Sequence, residues 1–282
     1  MIKVLITGAN GFAGSHLVKR LQQNPELRIC CINRNKAYDE SYVCELTNYE
    51  SVSDLIQETQ PDQIYHLAGS FSNDYDIDYA NNVLATKNIL DTLLKYRGSC
   101  QVLLIGSAAE YGLVKEEDNP VKEDQPLNPV SIYGLTKVYQ THLMNFYCQV
   151  HNLDIVMART FNLLGKNISD SLFIGRFFQQ IEQYKNGDTK KIILGDLQSK
   201  RDYIDVQEAV KYYEIIMNHG KKGMVYNVGS GKSIILSKLI EQILIENNLT
   251  LDVIEFRAKD LINKLNVSNI FSDMSKVNLL KN

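Results

Sequence analysis

The sequence predicts an α/β fold, a doubly wound parallel sheet with a smaller C-terminal lobe. Three observations carry this. A run of β-formers from Lys3 to Thr7 passes straight into G-A-N-G-F-A-G and then into a helical pattern. Short apolar runs such as Val102 to Ile105 alternate with longer helical stretches, as strands buried on both faces do. Polar, reactive side chains stand just past the ends of those runs, where open α/β sheets hold ligands.

The first strand is followed by a helix from Ser15 to Gln22, with Leu17 and Leu21 on one face. Gly8 permits the tight turn, Gly11 lets a pyrophosphate approach the backbone, and Gly14 lets the helix pack on the strand. The helix start offers free N–H groups and a positive dipole end. This is the dinucleotide-binding pattern of a Rossmann sheet. Arg28 to Asn33 is the second strand. An NAD site usually ends this strand with an acid for the ribose 2′-hydroxyl, but here Asn33 and Arg34 follow and no acid appears until Asp39. A guanidinium suits a 2′-phosphate, so NADP (NADPH) is the expected cofactor.

Tyr42 to Leu46 reads as a third strand, Tyr49 to Thr59 as a helix ending before Pro61, and Gln63 to Gly69 as the fourth strand with its exit loop. Ala68 and Gly69 are small, as backbone passing close to a dinucleotide must be. His66 reads as structural or as part of the cofactor loop. Ser70 to Tyr75 should lie at the mouth of the site. Tyr79 to Tyr96 is a long helix whose apolar face includes Val83, Ile89, Leu90, Leu93 and Leu94.

After the Val102 to Ile105 strand come Ser107 and then a charge-dense loop, Lys115 to Asp124, read as solvated. Asn128-Pro129 precedes a helix that runs to about His151. Tyr133 and Lys137 are four apart near its start and share one face. For the phenol to be a useful general acid, its pKa is expected to fall well below ~10. A lysine ammonium one turn away would lower it, and a serine hydroxyl could bond the same carbonyl oxygen. Asp154 to Arg159 is a sixth strand. Helices are read at Phe173 to Lys185, Val206 to His219 and Leu236 to Glu246, and a strand at Leu251 to Glu255. The G-S-G-K-S run ending at Ser233 lacks the first glycine of a phosphate loop and is not one.

These motifs resemble the extended short-chain dehydrogenase/reductases that modify nucleotide sugars, over nearly the whole chain. The carriers are G-x-x-G-x-x-G with Phe12, the Ser107 strand end, Y-x-x-x-K, the N-V-L-A-T segment at Asn82, R-T-F-N at Asn162, R-D-Y at Arg201, and D-M-S-K at Asp273. The resemblance implies catalysis by Ser107, Tyr133 and Lys137. It implies cofactor binding by Gly8, Asn10, Gly11, Phe12, Gly14, Asn33, Arg34, Glu45, Leu46, Leu67, Ala68, Gly69, Asn82, Tyr133 and Lys137. For the substrate it implies Ser70, Ser107, Ala108, Asn162, Phe173, Arg176, Arg201 and Arg257. The chain departs from the family at Thr160, where proline is usual, at Lys166, and in having no tryptophan-containing turn near Asn282.

Within the family, the closest likeness is to reductases of GDP-4-keto-6-deoxymannose, so a GDP-sugar is expected. Family dehydratases carry a carboxylate two residues after the serine or threonine, and GDP-fucose synthases a cysteine. This chain has Ala109 there, preceded by Ala108. Glu110, one residue on, should point elsewhere. The alternatives are an epimerase or dehydratase on the same fold, or a cofactor-binding regulator without turnover. The family pairs the Tyr79 and Tyr133 helices across a homodimer, so a homodimer is expected.

Composition fits this reading. Of the 282 residues, 44% are apolar and 22% charged, with net charge −3 and no basic stripe, which argues against nucleic acid as partner. Cys30, Cys31, Cys44, Cys100 and Cys148 show no metal-ligand spacing and fit a reducing compartment. Met1 leads directly into a strand, and no run is apolar enough to span a bilayer, so a cytoplasmic protein is expected. By the same motifs, residues 1–162 with 205–230 form the NADP-binding unit and 163–282 mainly the nucleotide-sugar lobe.

Overall fold

The computed structural model describes residues 1–34, 41–165, 167–170, 172–256 and 267–281. The first half alternates strand and helix: β1 (Ile2–Thr7), α1 (Phe12–Leu21), β2 (Leu27–Asn33), β3 (Ser41–Val43), α2 (Tyr49–Thr59), β4 (Gln63–His66), α3 (Tyr75–Tyr79), α4 (Ala85–Tyr96) and β5 (Gln101–Ser107). Then follow α5 (Ile132–His151), β6 (Ile155–Thr160), β7 (Asn162–Leu164), α6 (Phe173–Lys185), β8 (Ile192–Leu194), β9 (Lys200–Asp205), α7 (Val206–His219), β10 (Val225–Val228), β11 (Ser233–Ile235), α8 (Leu236–Glu246), β12 (Ile254–Phe256), β13 (Asn269–Ile270) and α9 (Ser275–Asn278).

Seven parallel strands form the central sheet in the order β10-β6-β5-β4-β1-β2-β3. The order reverses between β1 and β4, which opens the crevice where such sheets bind ligands. Leu17, Leu21, Val210, Tyr213 and Ile216 cover one face, and Val52, Ile56, Leu90, Leu93 and Met144 the other. Each such aliphatic side chain contributes about 1.5–3 kcal/mol on burial. The second sheet centres on β9, flanked by β7, β11 and β13. A third core, with Phe177, Ile181, Ile192, Leu239 and Ile240, fills the lobe. Among the described residues, no helix is long and apolar enough to cross a membrane.

Several elements differ from expectation. The third strand ends at Val43, not Leu46, because Glu45 and Asn48 close a turn (Asn48 N to Glu45 O, 3.0 Å) and Asn48 then caps α2. The first helix begins at Phe12 rather than Ser15, since Gly11 already serves as its extended N-cap. The single helix from Tyr79 to Tyr96 starts instead at Tyr75, where the Asp74 carboxylate accepts from Ile77 N at 3.0 Å. It also widens into a π-helical turn at Ala80–Leu84. Leu251–Val253 is a 3-10 turn and not a strand, which begins only at Ile254. The acidic loop is only partly solvated. Val121 is wholly buried, and its backbone pairs with Phe271 and Asp273.

Candidate active site

Ser107 ends β5 and Tyr133 stands in the first turn of α5, so sheet edge and helix start converge on one cleft. The cleft encloses ≈540 Å³ and is lined by Ser107, Ala108, Ala109, Tyr133, Asn162 and Arg201, among others. Ser107 and Tyr133 both face it, and the Ser107 hydroxyl acts to favour the phenolate. Ser107 is itself fixed. Its hydroxyl accepts from Ala109 N at 3.1 Å, and its N–H donates to Glu110 Oε1 at 2.7 Å.

Glu110 turns away from the cleft and is wholly buried. Its other oxygen accepts from Thr141 Oγ1 at 2.6 Å and from Arg159 Nη2 at 3.0 Å. Burial works against the Arg159 charge, but Glu110 and Tyr111 outweigh it and raise the guanidinium above its ordinary value. Arg159 also donates to Tyr111 Oη, which in turn donates to Asn227 Oδ1. The strand that carries Ser107 is thus braced by a buried ion pair.

Lys137 is buried one turn beyond Tyr133, with Nζ 5.8 Å from the phenol ring centre. It donates to Ile105 O at 2.9 Å and Gln140 Oε1 at 3.1 Å. Burial pushes Lys137 down to about 8. Burial also pushes Tyr133 up to about 12, against the Ser107 hydrogen bond and with the Glu110 and Asp78 charges adding to the rise. This corrects the expectation of a lowered phenol: desolvation outweighs a lysine that is already engaged by Ile105 and Gln140.

The glycine loop has the geometry its sequence requires. Gly8 sits at φ +68, and a Cβ on Gly14 would lie 2.1 Å from the Gly8 carbonyl oxygen. Gly11 caps α1 without a side-chain bond, leaving N–H groups at an exposed helix start. The Asn10 N–H donates to Asn33 Oδ1 at 2.9 Å, which turns Asn33 Nδ2 the other way. That nitrogen is buried and has no partner among the described residues. An orphaned donor here suits a group rich in acceptor oxygens. Arg34 is exposed at the end of β2 and donates to Asn81 Oδ1, while Asn81 Nδ2 bonds Ile77 O at 2.7 Å. Glu45 is held below the usual carboxylate range by Thr47, against burial, with Arg34 adding to the effect. Leu46 O accepts from Asn88 Nδ2. These residues fit the adenosine end of a dinucleotide, and the Phe12 to Gly14 start of α1 fits its diphosphate.

Asn82, in the π turn, is wholly buried and grips Ser70 from both sides: Oδ1 accepts from Ser70 N at 2.9 Å, and Nδ2 donates to Ser70 O at 3.0 Å. The Ser70 hydroxyl points to Asp78 (2.8 Å), while the next residue, Phe71, lines the cleft with its ring centre 4.8 Å from that of Tyr133. Phe71 belongs to the Ser70 to Tyr75 stretch expected at the mouth of the site, whereas Asp78 carries no sequence signal. Asp78 also accepts from Ser72 and Asn73. Burial opposes its charge, but these bonds hold the carboxyl below its ordinary range. Leu67 lines the cleft, and Ala68 N donates to Thr7 Oγ1 at 3.2 Å. His66 is buried and neutral, pushed down to about 3 by burial and then by Lys137.

On the lobe side, Asn162, Phe173, Arg176 and Arg201 all line the cleft. Asn162 Nδ2 donates to Asp202 O, and Arg201 Nη1 to Lys200 O. Asp202 is buried and accepts from Ser230, Gly231 and Ser272, which ties β9 to the turn after β10 and to the segment after β13. Arg257 and Asp39 lie outside the described residues.

Known proteins resemble this chain over most of its length. A GDP-6-deoxy-D-mannose reductase of Pseudomonas aeruginosa is 31% identical over 266 residues, 91% of this chain and 84% of that one. The structure of RMD from Pseudomonas aeruginosa complexed with NADPH matches with TM-score 0.85 and 25% identity, covering 99% of this chain and 91% of the other. The UDP-glucose 4-epimerase of Thermus thermophilus in complex with NAD shares the fold at TM-score 0.86 and 21% identity, over 99% and 92%. The NAD dependent epimerase/dehydratase family matches residues 4–229, from the first strand to the turn after β10, and the chain belongs to this family of NAD(P)-dependent enzymes acting on nucleotide sugars.

Proposed function

We propose that the chain reduces the C4 keto group of a nucleotide-linked 4-keto-6-deoxy sugar, with NADPH as reductant and a GDP-sugar as substrate. The observation that carries this is the wall beside Ser107 and Tyr133. Ala108 and Ala109 stand there, and among the described lining residues no carboxylate, cysteine or histidine faces the cleft. Dehydration, or epimerisation at C3 or C5, needs an acid and a base at those ring carbons, and alanine supplies neither. The likeness to a GDP-6-deoxy-D-mannose reductase supports the nucleotide and the product class.

Bound NADPH would supply the hydride. Tyr133 gives its phenolic proton to the C4 oxygen, and the Ser107 hydroxyl bonds that oxygen. An alkoxide is a stronger base than a phenolate, so a phenol kept neutral by burial still transfers its proton. Lys137 holds the cofactor ribose. Arg201 and Arg176 neutralise the sugar nucleotide's diphosphate side, a role suited to guanidinium.

The test is incubation with NADPH and a panel of GDP-, CDP-, UDP- and dTDP-linked 4-keto sugars in deuterated water, read by NMR. Reduction at C4 with no enzyme-dependent deuterium at C3 or C5 is expected, fastest with GDP. Exchange at C3 or C5, or a better substrate with another base, sinks the reading.

NADP preference is assigned to Arg34, with the Asn33 amide as a second donor. Arg34→Ala is expected to reduce the NADPH-over-NADH preference in kcat/KM by roughly ten-fold or more, the worth of a charged hydrogen bond. An unchanged ratio removes Arg34 from cofactor selection.

A further inference from the structure

A continuous file of buried polar side chains runs behind the cleft, and the mechanism above does not use it. Thr7, His66, Thr86 and Gln140 are each at most 1% exposed. Thr7 Oγ1 meets His66 Nδ1 at 2.7 Å, and His66 Nε2 meets Thr86 Oγ1 at 3.0 Å. Gln140 Nε2 donates to Thr86 Oγ1 at 2.8 Å, and Gln140 Oε1 accepts from Lys137 Nζ at 3.1 Å. Thr86 Oγ1 donates to Asn82 O at 2.8 Å.

The chemistry of the donors gives this file a direction. An ammonium has donors only, so the Gln140 oxygen must face Lys137 and its nitrogen must face Thr86. The single Thr86 proton goes to the Asn82 carbonyl, so Thr86 accepts from both Gln140 and His66. His66 therefore carries its proton on Nε2, and its Nδ1 accepts from Thr7. The Thr7 oxygen is left to accept from Ala68 N. Every hydrogen is then used once, and both ends are anchored on the loop after β4: Ala68 through Thr7, and Ser70 through Asn82.

We propose that Gln140 is the positioning residue for Lys137: anchored through Thr86 to a neutral, Nε2-protonated His66, it holds the lysine as an ammonium beside the Gly69 backbone. A Cβ on Gly69 would stand 3.7 Å from the Lys137 nitrogen. Of the two acceptors on Nζ, the Ile105 carbonyl belongs to the strand and cannot be adjusted by a side chain. Gln140 is the adjustable one. The other charged or titratable groups facing Lys137 are Tyr133 on the same helix, Glu110 after β5, Asp78 in α3 and His66 at the end of β4. Glu110 is already neutralised by Arg159, which increases the weight of a nearby neutral acceptor. With burial pushing Lys137 down to about 8, loss of one acceptor moves its ionisation into the physiological range.

The inference takes from the proposed function only that Lys137 belongs to the catalytic set. It is therefore tested on the protein without cofactor or substrate, where failure of the proposed reaction leaves the result untouched. The Lys137 Cε resonance, assigned with Lys137→Arg, is followed by NMR against pH in wild type, Gln140→Met and Gln140→Glu. The midpoint is expected to fall by about one pH unit in Gln140→Met and to rise by about as much in Gln140→Glu, since a lost acceptor disfavours the ammonium and a carboxylate favours it. Structural damage alone would not move the two variants in opposite directions. Thr86→Val, which frees Gln140 from its anchor, should move the midpoint the same way as Gln140→Met and keeps the test available if that variant does not fold. The ring nitrogens of His66 in wild type should report a neutral imidazole protonated on Nε2 from pH 5 to 8. An unchanged Lys137 midpoint in the Gln140 variants, or a His66 protonated on Nδ1, overturns the proposal.

Discussion

Tyr133→Phe is expected to lower turnover by a factor on the order of 10² or more, with cofactor binding retained. The phenol lines the cleft with Ser107 and packs on Phe71 and Lys137, so removing one oxygen leaves the ring contacts in place. What is lost is the only neutral acid among the described lining residues that stands next to Ser107. The pH dependence separates the two partners. Reduction needs the phenol protonated, and burial keeps it so up to about 12. Lys137 is the earlier group to lose its proton, near 8, so kcat/KM should fall as pH rises through that value. The check is single-turnover kinetics for Tyr133→Phe and a pH profile for wild type. Near wild-type turnover in the variant would remove Tyr133 from the chemistry, and a flat profile from pH 7 to 10 would remove Lys137 from the alkaline limb.

Glu110→Ala should have the largest effect on stability, a loss of about 3–5 kcal/mol, because it strands the Arg159 charge in the interior. Arg159 is 1% exposed, and its Nε already has no partner among the described residues. The same change frees the Ser107 N–H and the Thr141 hydroxyl, each of which loses its carboxylate acceptor. Urea unfolding of wild type and variant measures this directly. A difference under about 1 kcal/mol would mean that water or a shifted side chain replaces the carboxylate, and that the ion pair does not brace the strand. Because the Glu110 side chain bonds the Ser107 backbone from behind and does not itself line the cleft, a Glu110→Gln variant that stays folded should keep its sugar-nucleotide preference.

The alternation of elements and the meeting of Ser107, Tyr133 and Lys137 can be read from sequence because each signal is local. Val102 to Ile105 announces a strand by composition, Ser107 follows it directly, and Tyr133 with Lys137 lie one helical turn apart. The glycine loop is legible for the same reason. Asp78, Glu110, Gln140 and Asp202 are not legible as organising groups. Their partners lie up to 70 residues away, as Ser272 does from Asp202, and no periodicity encodes such a meeting. The phenol's ionisation is not legible from sequence, which shows the neighbouring lysine but not the desolvation that opposes it. Phe71 is legible only as part of the Ser70 to Tyr75 stretch, since a lone aromatic in a polar loop has no pattern of its own. The π turn that brings Asn82 onto Ser70 is likewise a matter of backbone winding, which identical residues in a regular helix would not produce.

The strand at the centre of the lobe has a consequence for synthesis on the ribosome. β9 is completed by β7 before it, β11 after it and β13 last of all, while its buried Asp202 carboxylate takes donors from Ser230, Gly231 and Ser272. A growing chain can therefore assemble the sheet around Ser107 and Tyr133 long before the wall that bears Arg201 can close. Asp202 gains its Ser230 and Gly231 donors first and its Ser272 donors only later, so the lobe closes stepwise. The strands around Ser107 can pair early, and the second sheet, which carries Arg201 on β9, is complete only once β13 has emerged.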